Sequence, residues 1–166
     1  HIKQGKILSL HCQSVVCIKK GKVGKEKEFG RGFQIGRIGG NFLTAFTSND
    51  LRMNDKKTFI SAIKEHASLF GQGRLKSIGT DKGYYSKKNI KFCQQNGIDT
   101  SGIQRPGNIK VKTFNQELAL TLRNRRAGIE PLIGHLKDFG LRKSKMNSDS
   151  ATLSSGYRSV LGFNLH

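Results

Sequence analysis

Leu75-Lys76-Ser77-Ile78-Gly79-Thr80-Asp81-Lys82-Gly83-Tyr84-Tyr85-Ser86 is the stretch from which the rest of the chain can be placed. Its first six residues read as a short strand, and the strand delivers Asp81 to a Lys-Gly turn. Ser86 then caps a small helix over 87–95, which Asn96-Gly97 ends, and 98–104 reads as another strand. A carboxylate at the exit of a sheet strand lies where open α/β sheets usually place their ligands. The plain alternative is that Asp81 is an ordinary turn residue, because Asp is common before Lys-Gly at the end of a strand.

Working upstream, Asp55 reads as the cap of a helix over 56–70, with Phe59, Ile60, Ile63, Ala67 and Phe70 on one face. A polar loop runs from Ser48 to Asn54. Before it, Gly39-Gly40-Asn41 marks the turn of an antiparallel hairpin over about 32–47. Residues 19–28 read as a Lys- and Gly-rich turn, preceded by β-prone stretches at 7–11 and 15–18. Downstream, Arg105-Pro106-Gly107-Asn108 is a turn and 115–138 a long helical stretch. Gly128 and Pro131 weaken that stretch, predicting a kink or a fresh helix with Pro131 at its first position. A last helix covers 150–165. The order predicts an α/β fold in one domain spanning 1–166, a mixed sheet flanked by helices.

Thirty Lys and Arg against eleven Asp and Glu give a net charge of +19. The basic residues are spread along the chain, so a folded basic surface is expected, and such a surface attracts polyanions through counterion release. No apolar run approaches the roughly 20 residues of a membrane span. Three cysteines without framework spacing fit a reducing cytoplasm. His11, Cys12 and Cys17 lack the paired spacing of a zinc site. Gly30-x-Gly32-x3-Gly36 misses both nucleotide-binding glycine patterns. Both ends of the chain, His1 and Leu165-His166, read as cut edges of something longer.

Glu130 is the second carboxylate of interest. Arg123, Arg126, Glu130 and Lys137 fall within roughly 60° of one another on a helical wheel. Ile129, Leu132, Ile133 and Leu136 fill the neighbouring face. One carboxylate is thus offered among three cations, although an Arg126–Glu130 pair on an ordinary amphipathic helix is worth only a few tenths of a kcal/mol. Asp81 with Glu130 is the kind of oxygen pair that magnesium prefers. Phosphodiester cleavage and strand transfer accumulate negative charge, and two such ions can stabilise both the attacking and the leaving oxygen. Nearby cations, here Lys82, Arg123, Arg126 and Lys137, would hold the flanking phosphates.

Thr80-Asp81-Lys82-Gly83-Tyr84-Tyr85-Ser86 resembles the second-aspartate motif of DDE-type transposases of bacterial insertion sequences. Arg125-Arg126-Ala127-Gly128-Ile129-Glu130-Pro131-Leu132-Ile133-Gly134-His135-Leu136-Lys137 resembles their glutamate motif. Lys20-Gly21-Lys22, Glu28-Phe29-Gly30 and Phe33-Gln34-Ile35 match the region of the linker and second strand. Gly162-Phe163-Asn164-Leu165 resembles the closing helix, so the likeness spans nearly the whole chain.

The resemblance implies a ribonuclease-H-like catalytic fold and an Asp, Asp, Glu triad. It implies magnesium or manganese as cofactor, and nicking of transposon ends followed by joining to target DNA. By matching position, Asp81 would be the second aspartate and Glu130 the glutamate, both metal ligands, with Arg126 and Lys137 contacting DNA. Implied partners are double-stranded DNA and a second copy of the chain; the implied location is the bacterial cytoplasm, at the nucleoid.

The chain departs from the pattern at two points. Arg123 stands where the family often has tyrosine, and no residue matches the first aspartate. Glu26 and Glu28 sit in the expected turn, Asp50 in a loop and Asp55 at a helix cap. The expectation is therefore a partial catalytic domain whose first catalytic strand lies upstream of His1, inactive by itself. The alternatives are a catalytically silent transposase remnant or a basic nucleic-acid-binding module.

Overall fold

The strand–helix–strand reading around Asp81 holds in the structure, a computed structural model that describes residues 7–22, 25–48, 54–107 and 115–166. The elements are β1 (Val16–Lys22), β2 (Lys25–Gly30), β3 (Gln34–Arg37), β4 (Leu43–Phe46), α1 (Asp55–Phe70), β5 (Ser77–Thr80), α2 (Lys87–Gln95), β6 (Asp99–Ile103), α3 (Gln116–Ala127), α4 (Ile129–Leu136) and α5 (Asp149–Leu165). A 3-10 turn covers Lys82–Tyr84, and a π turn covers Lys137–Leu141. The class is mixed α/β. Among the described residues the strands form three two-stranded ladders rather than one mixed sheet: β1–β2 and β3–β4 antiparallel, β5–β6 parallel. No helix among the described residues is long and apolar enough to cross a membrane.

The chain divides into two compact units, one of residues 54–132 and one of residues 1–53 with 133–166. In the first, α1 is capped by Asn54, whose side chain accepts from the Lys57 amide, and Asp55 is the first residue inside the helix. The expected cap is thus off by one, because Asn54 takes the extended backbone that a cap needs. Phe59 and Ile63 of α1 form a buried core with Cys93, Ile98 and Ile103. Ile60 packs against that core, but Phe70, expected on the same face, is exposed. Ser86 caps α2 as predicted, its hydroxyl accepting from the Asn89 amide at 3.1 Å.

Two glycines fix how α3 meets the β5–β6 pair. Gly79 lies opposite Gly102 in the ladder. A Cβ on Gly79 would stand 2.8 Å from the Leu122 carbonyl oxygen, and one on Gly102 would stand 2.7 Å from the Gly79 Cα. Helix backbone therefore rests directly on strand backbone, and no larger residue fits either place. Asn115 caps α3 by accepting from the Leu118 amide at 2.9 Å. The long helix expected over 115–138 is broken at Gly128. Its successor α4 begins at Ile129, so Pro131 is the third helical residue, not the first. The missing amide of Pro131 still falls in the first turn, where helical amides lack partners anyway.

In the second unit, β3 and β4 form the predicted hairpin, closed by Phe42 N–H donating to Gly39 O at 2.8 Å, with Gly40 at φ +51°. Within 19–28, residues 19–22 and 25–28 are corrected from a turn to paired strand, and 23–24 lie outside the described residues. Cys17 faces Phe29, Ile18 faces Glu28 and Lys19 faces Lys27 in the β1–β2 ladder. Lysine density argued against strand there, but ladder pairing is a backbone property that side-chain charge does not forbid. The stretch 7–11, expected as strand, is bend and irregular backbone where described. Most of the polar loop at 48–54, and Asn108 of the turn at 105–108, lie outside the described residues.

Helix α5 closes this unit through polar and aromatic contacts. The Asn164 amide accepts from Leu43 N–H at 2.9 Å and donates to Leu43 O at 2.8 Å, while Leu43 itself is buried. Phe33 packs edge-on to Tyr157 at 5.6 Å and lies against Gly156, and Phe139 of the π turn packs edge-on to Phe163 at 5.7 Å. Asp149 in the first turn of α5 accepts from the Ser14 hydroxyl at 2.6 Å.

Candidate functional site

Strand β5 ends at Thr80, and Asp81 takes the N-cap position of the 3-10 turn in extended backbone, without capping that turn by its side chain. Its carboxylate is available to partners outside the turn, and its side chain is 59% exposed. The Gly79–Leu122 contact brings α3 alongside the strand. Arg123 and Arg126, one residue and one turn beyond Leu122, therefore arrive beside Asp81. Together with Asp55, Thr80, Lys82, Gly83 and Gln104 they line an open cavity of about 370 Å³.

Arg126 is the centre of this arrangement. Its Nη2 forms an ion pair with Asp81 Oδ1 and another, at 3.2 Å, with Glu130 Oε1. Two carboxylates far apart in sequence thus share one nitrogen, and their oxygens lie no further apart than two ion-pair contacts. Arg126 is the least exposed of the three at 34%, and Glu130 is the most exposed at 70%. The carboxylates stay within reach of ions from solvent, while the cation between them is partly buried.

The sequence-derived site residues separate as follows. Asp81, Lys82, Arg123 and Arg126 line the one cavity, and Glu130 joins them through Arg126. Lys137 is exposed at the start of the π turn and belongs to the other compact unit. The helical wheel that grouped it with Arg123 assumed an unbroken helix, and the break at Gly128 removes that assumption. The Arg126–Glu130 pair survives the break because their four-residue spacing is kept locally.

Asp55 was passed over as a cap and is the residue that spacing missed. Its carboxylate lies against Gly83, where an added Cβ would stand 2.7 Å from Oδ2, and it accepts a hydrogen bond from Tyr84. Burial pushes its pKa up, the Tyr84 hydrogen bond pulls it back, and the Asp81 charge pushes it up further. No local sequence pattern marks this approach of Asp55 to Gly83.

Asp81 and Glu130 offer hard oxygen donors of the kind that hold magnesium or manganese. Among the described residues no group of three or more His, Cys, Asp and Glu side chains is gathered tightly enough to hold a metal ion. The donor set fits such an ion as a pair of carboxylates that needs completion.

Comparison with known proteins bears on the family. Neither the curated proteins nor the solved structures yield a match. A model of the transposase DDE domain matches residues 19–153, a range that includes both carboxylates, the cations around them, all of the 54–132 unit and part of the other. With most of its length covered by that match, the chain belongs to the transposase DDE domain family.

Proposed function

We propose that this chain forms the larger part of a ribonuclease-H-like catalytic domain that cuts transposon ends and joins them to target DNA. The observation that carries the reading is the single guanidinium of Arg126 bound to both Asp81 and Glu130. Carboxylates so placed repel each other unless a cation stands between them. The same pair would hold magnesium or manganese, which when bound activates the attacking oxygen and stabilises the leaving one. Such chemistry asks for further oxygen ligands beside Asp81 and Glu130, and the first aspartate that the family resemblance implies has no match among these 166 residues.

The other residues bind and orient. Lys82 and Arg123 face the cavity, where they would engage the phosphates flanking the scissile bond, and Arg126 would release one carboxylate to do the same. Lys137 would also contact DNA. Two copies of the domain would bridge two transposon ends.

Manganese titrated into the chain should bind in a manner lost in both Asp81→Asn and Glu130→Gln, measured by calorimetry. Binding unchanged in both variants would sink the assignment. In DNA-binding titrations against salt, Arg126→Ala and Lys137→Ala should each lower the log–log slope by about one. Unchanged slopes would remove those two cations from the interface. With no magnesium-dependent cleavage expected from these 166 residues alone, robust cleavage would show that no further ligand is needed.

A further inference from the structure

Asp81 sits on a turn that has little reason of its own to hold still. The 3-10 turn Lys82–Tyr84 has two backbone hydrogen bonds, Tyr84 N–H to Asp81 O at 3.1 Å and Tyr85 N–H to Lys82 O at 3.2 Å. Asp81, Lys82 and Gly83 are all exposed. Such turns are readily frayed. Two side chains from outside the turn tie it down.

The first is Asn89 of α2, only 1% exposed. Its amide nitrogen donates to the Tyr84 carbonyl at 2.9 Å and to the Lys56 carbonyl at 3.1 Å. One buried amide thus spans the end of the turn and the first turn of α1. A buried amide is costly unless its donors are used, and both are. The second is Asp55, whose carboxylate accepts from the Tyr84 hydroxyl and packs on Gly83. Tyr84 is therefore held at its backbone by Asn89 and at its ring tip by Asp55, and its ring also packs on Phe59 of the core at 6.0 Å.

We propose that Asp55, Tyr84 and Asn89 form a latch that fixes the Asp81 turn against the start of α1, and that they are positioning residues for Asp81. The inference rests on the functional reading above, because it is Asp81's place in a metal site that gives the latch a purpose. Neither Asn89 nor Tyr84 lines the cavity beside Asp81; they act through the turn. Gly83 is part of the same device, since any side chain there would displace the Asp55 carboxylate.

The test uses the 166-residue chain labelled with nitrogen-15 and two readouts. In amide hydrogen exchange, Tyr84→Phe and Asp55→Ala should each speed exchange at residues 84 and 85 by about tenfold, while the core amides of Cys93 and Ile98 stay unchanged. Asp55→Asn, which keeps an oxygen acceptor of the same shape, should restore the wild-type rates at 84 and 85. In manganese titration, paramagnetic broadening at the Asp81 amide should require more manganese in Tyr84→Phe and Asp55→Ala than in wild type. Unchanged exchange at 84 and 85 in both variants overturns the latch, and so does a rise shared by Cys93 and Ile98. Faster exchange with identical manganese broadening overturns the positioning role. If manganese fails to broaden Asp81 even in wild type, the metal reading and the positioning role fall together, while exchange still decides the latch.

Discussion

In residues 54–132 a helix lies on strand backbone with nothing between, at Gly79, Gly102 and Leu122. In the unit of residues 1–53 and 133–166 the closing helix instead reaches its strand with a side chain, the Asn164 amide bonded twice to Leu43. A backbone-on-backbone contact admits no substitution but leaves little play. A side-chain amide tolerates movement and depends on hydrogen bonds that water competes for. The two carboxylates that share Arg126, Asp81 and Glu130, both belong to the closely packed unit. Precision of placement has been put where charge has to converge.

The contrast can be broken most sharply at Gly102. Gly102→Ala puts a methyl against the Gly79 Cα and the Ile78 carbonyl, so it should cost about 3 kcal/mol and disturb the cavity beside Asp81. Urea unfolding measures the loss; a change below about 1 kcal/mol would mean that α3 shifts freely on the strands. The polar junction should be cheaper to lose. Asn164→Ala removes two hydrogen bonds and leaves the Leu43 amide groups without them, an expected loss of about 2 kcal/mol. A larger loss than at Gly102 would reverse the comparison.

The smallest effect is in acid, where the two units carry opposite signs. Asp149 is held below the ordinary aspartate range first by the Ser14 hydroxyl, so its contribution is present above that range and lost as pH falls through its lowered pKa. Asp55 is held above the range by burial, so its protonated form suits the folded state and stability falls as pH rises through its raised pKa. Unfolding from about pH 3 to 6 should therefore show Asp149→Asn losing an acid-side drop and Asp55→Asn losing a rise on acidification. Equal slopes in both variants would refute the assignment. In alkali, burial holds the Cys93 thiol at about 11 against an ordinary 9.0, so stability should fall as pH climbs between those values and Cys93→Ala should flatten that fall.

Periodicity and capping chemistry exposed the local elements well. The hairpin turn at Gly39-Gly40-Asn41, the Ser86 cap and the strand ending at Thr80 all stand where residue type placed them, because each rests on contacts within a few residues. The ladder over 16–30 was hidden, since its lysines have poor strand propensity and only the partner strand makes them a ribbon. The meeting of Asp81 with the Arg126–Glu130 turn was legible as family likeness, yet its physical cause was not. That cause is the glycine contact under α3, a relation between residues 20 or more apart that no local pattern records. Asp55 and Asn89 were invisible for the same reason: their partners are other segments' backbone carbonyls and a tyrosine hydroxyl.

The guanidinium shared between Asp81 and Glu130 has a consequence for heredity. Removing either acid frees Arg126 to commit wholly to the other, so the two single losses cannot sum to the double loss. Removing the arginine strands both acids at once. The three positions therefore form one thermodynamic cycle, and drift at any one of them changes which replacements the other two can survive.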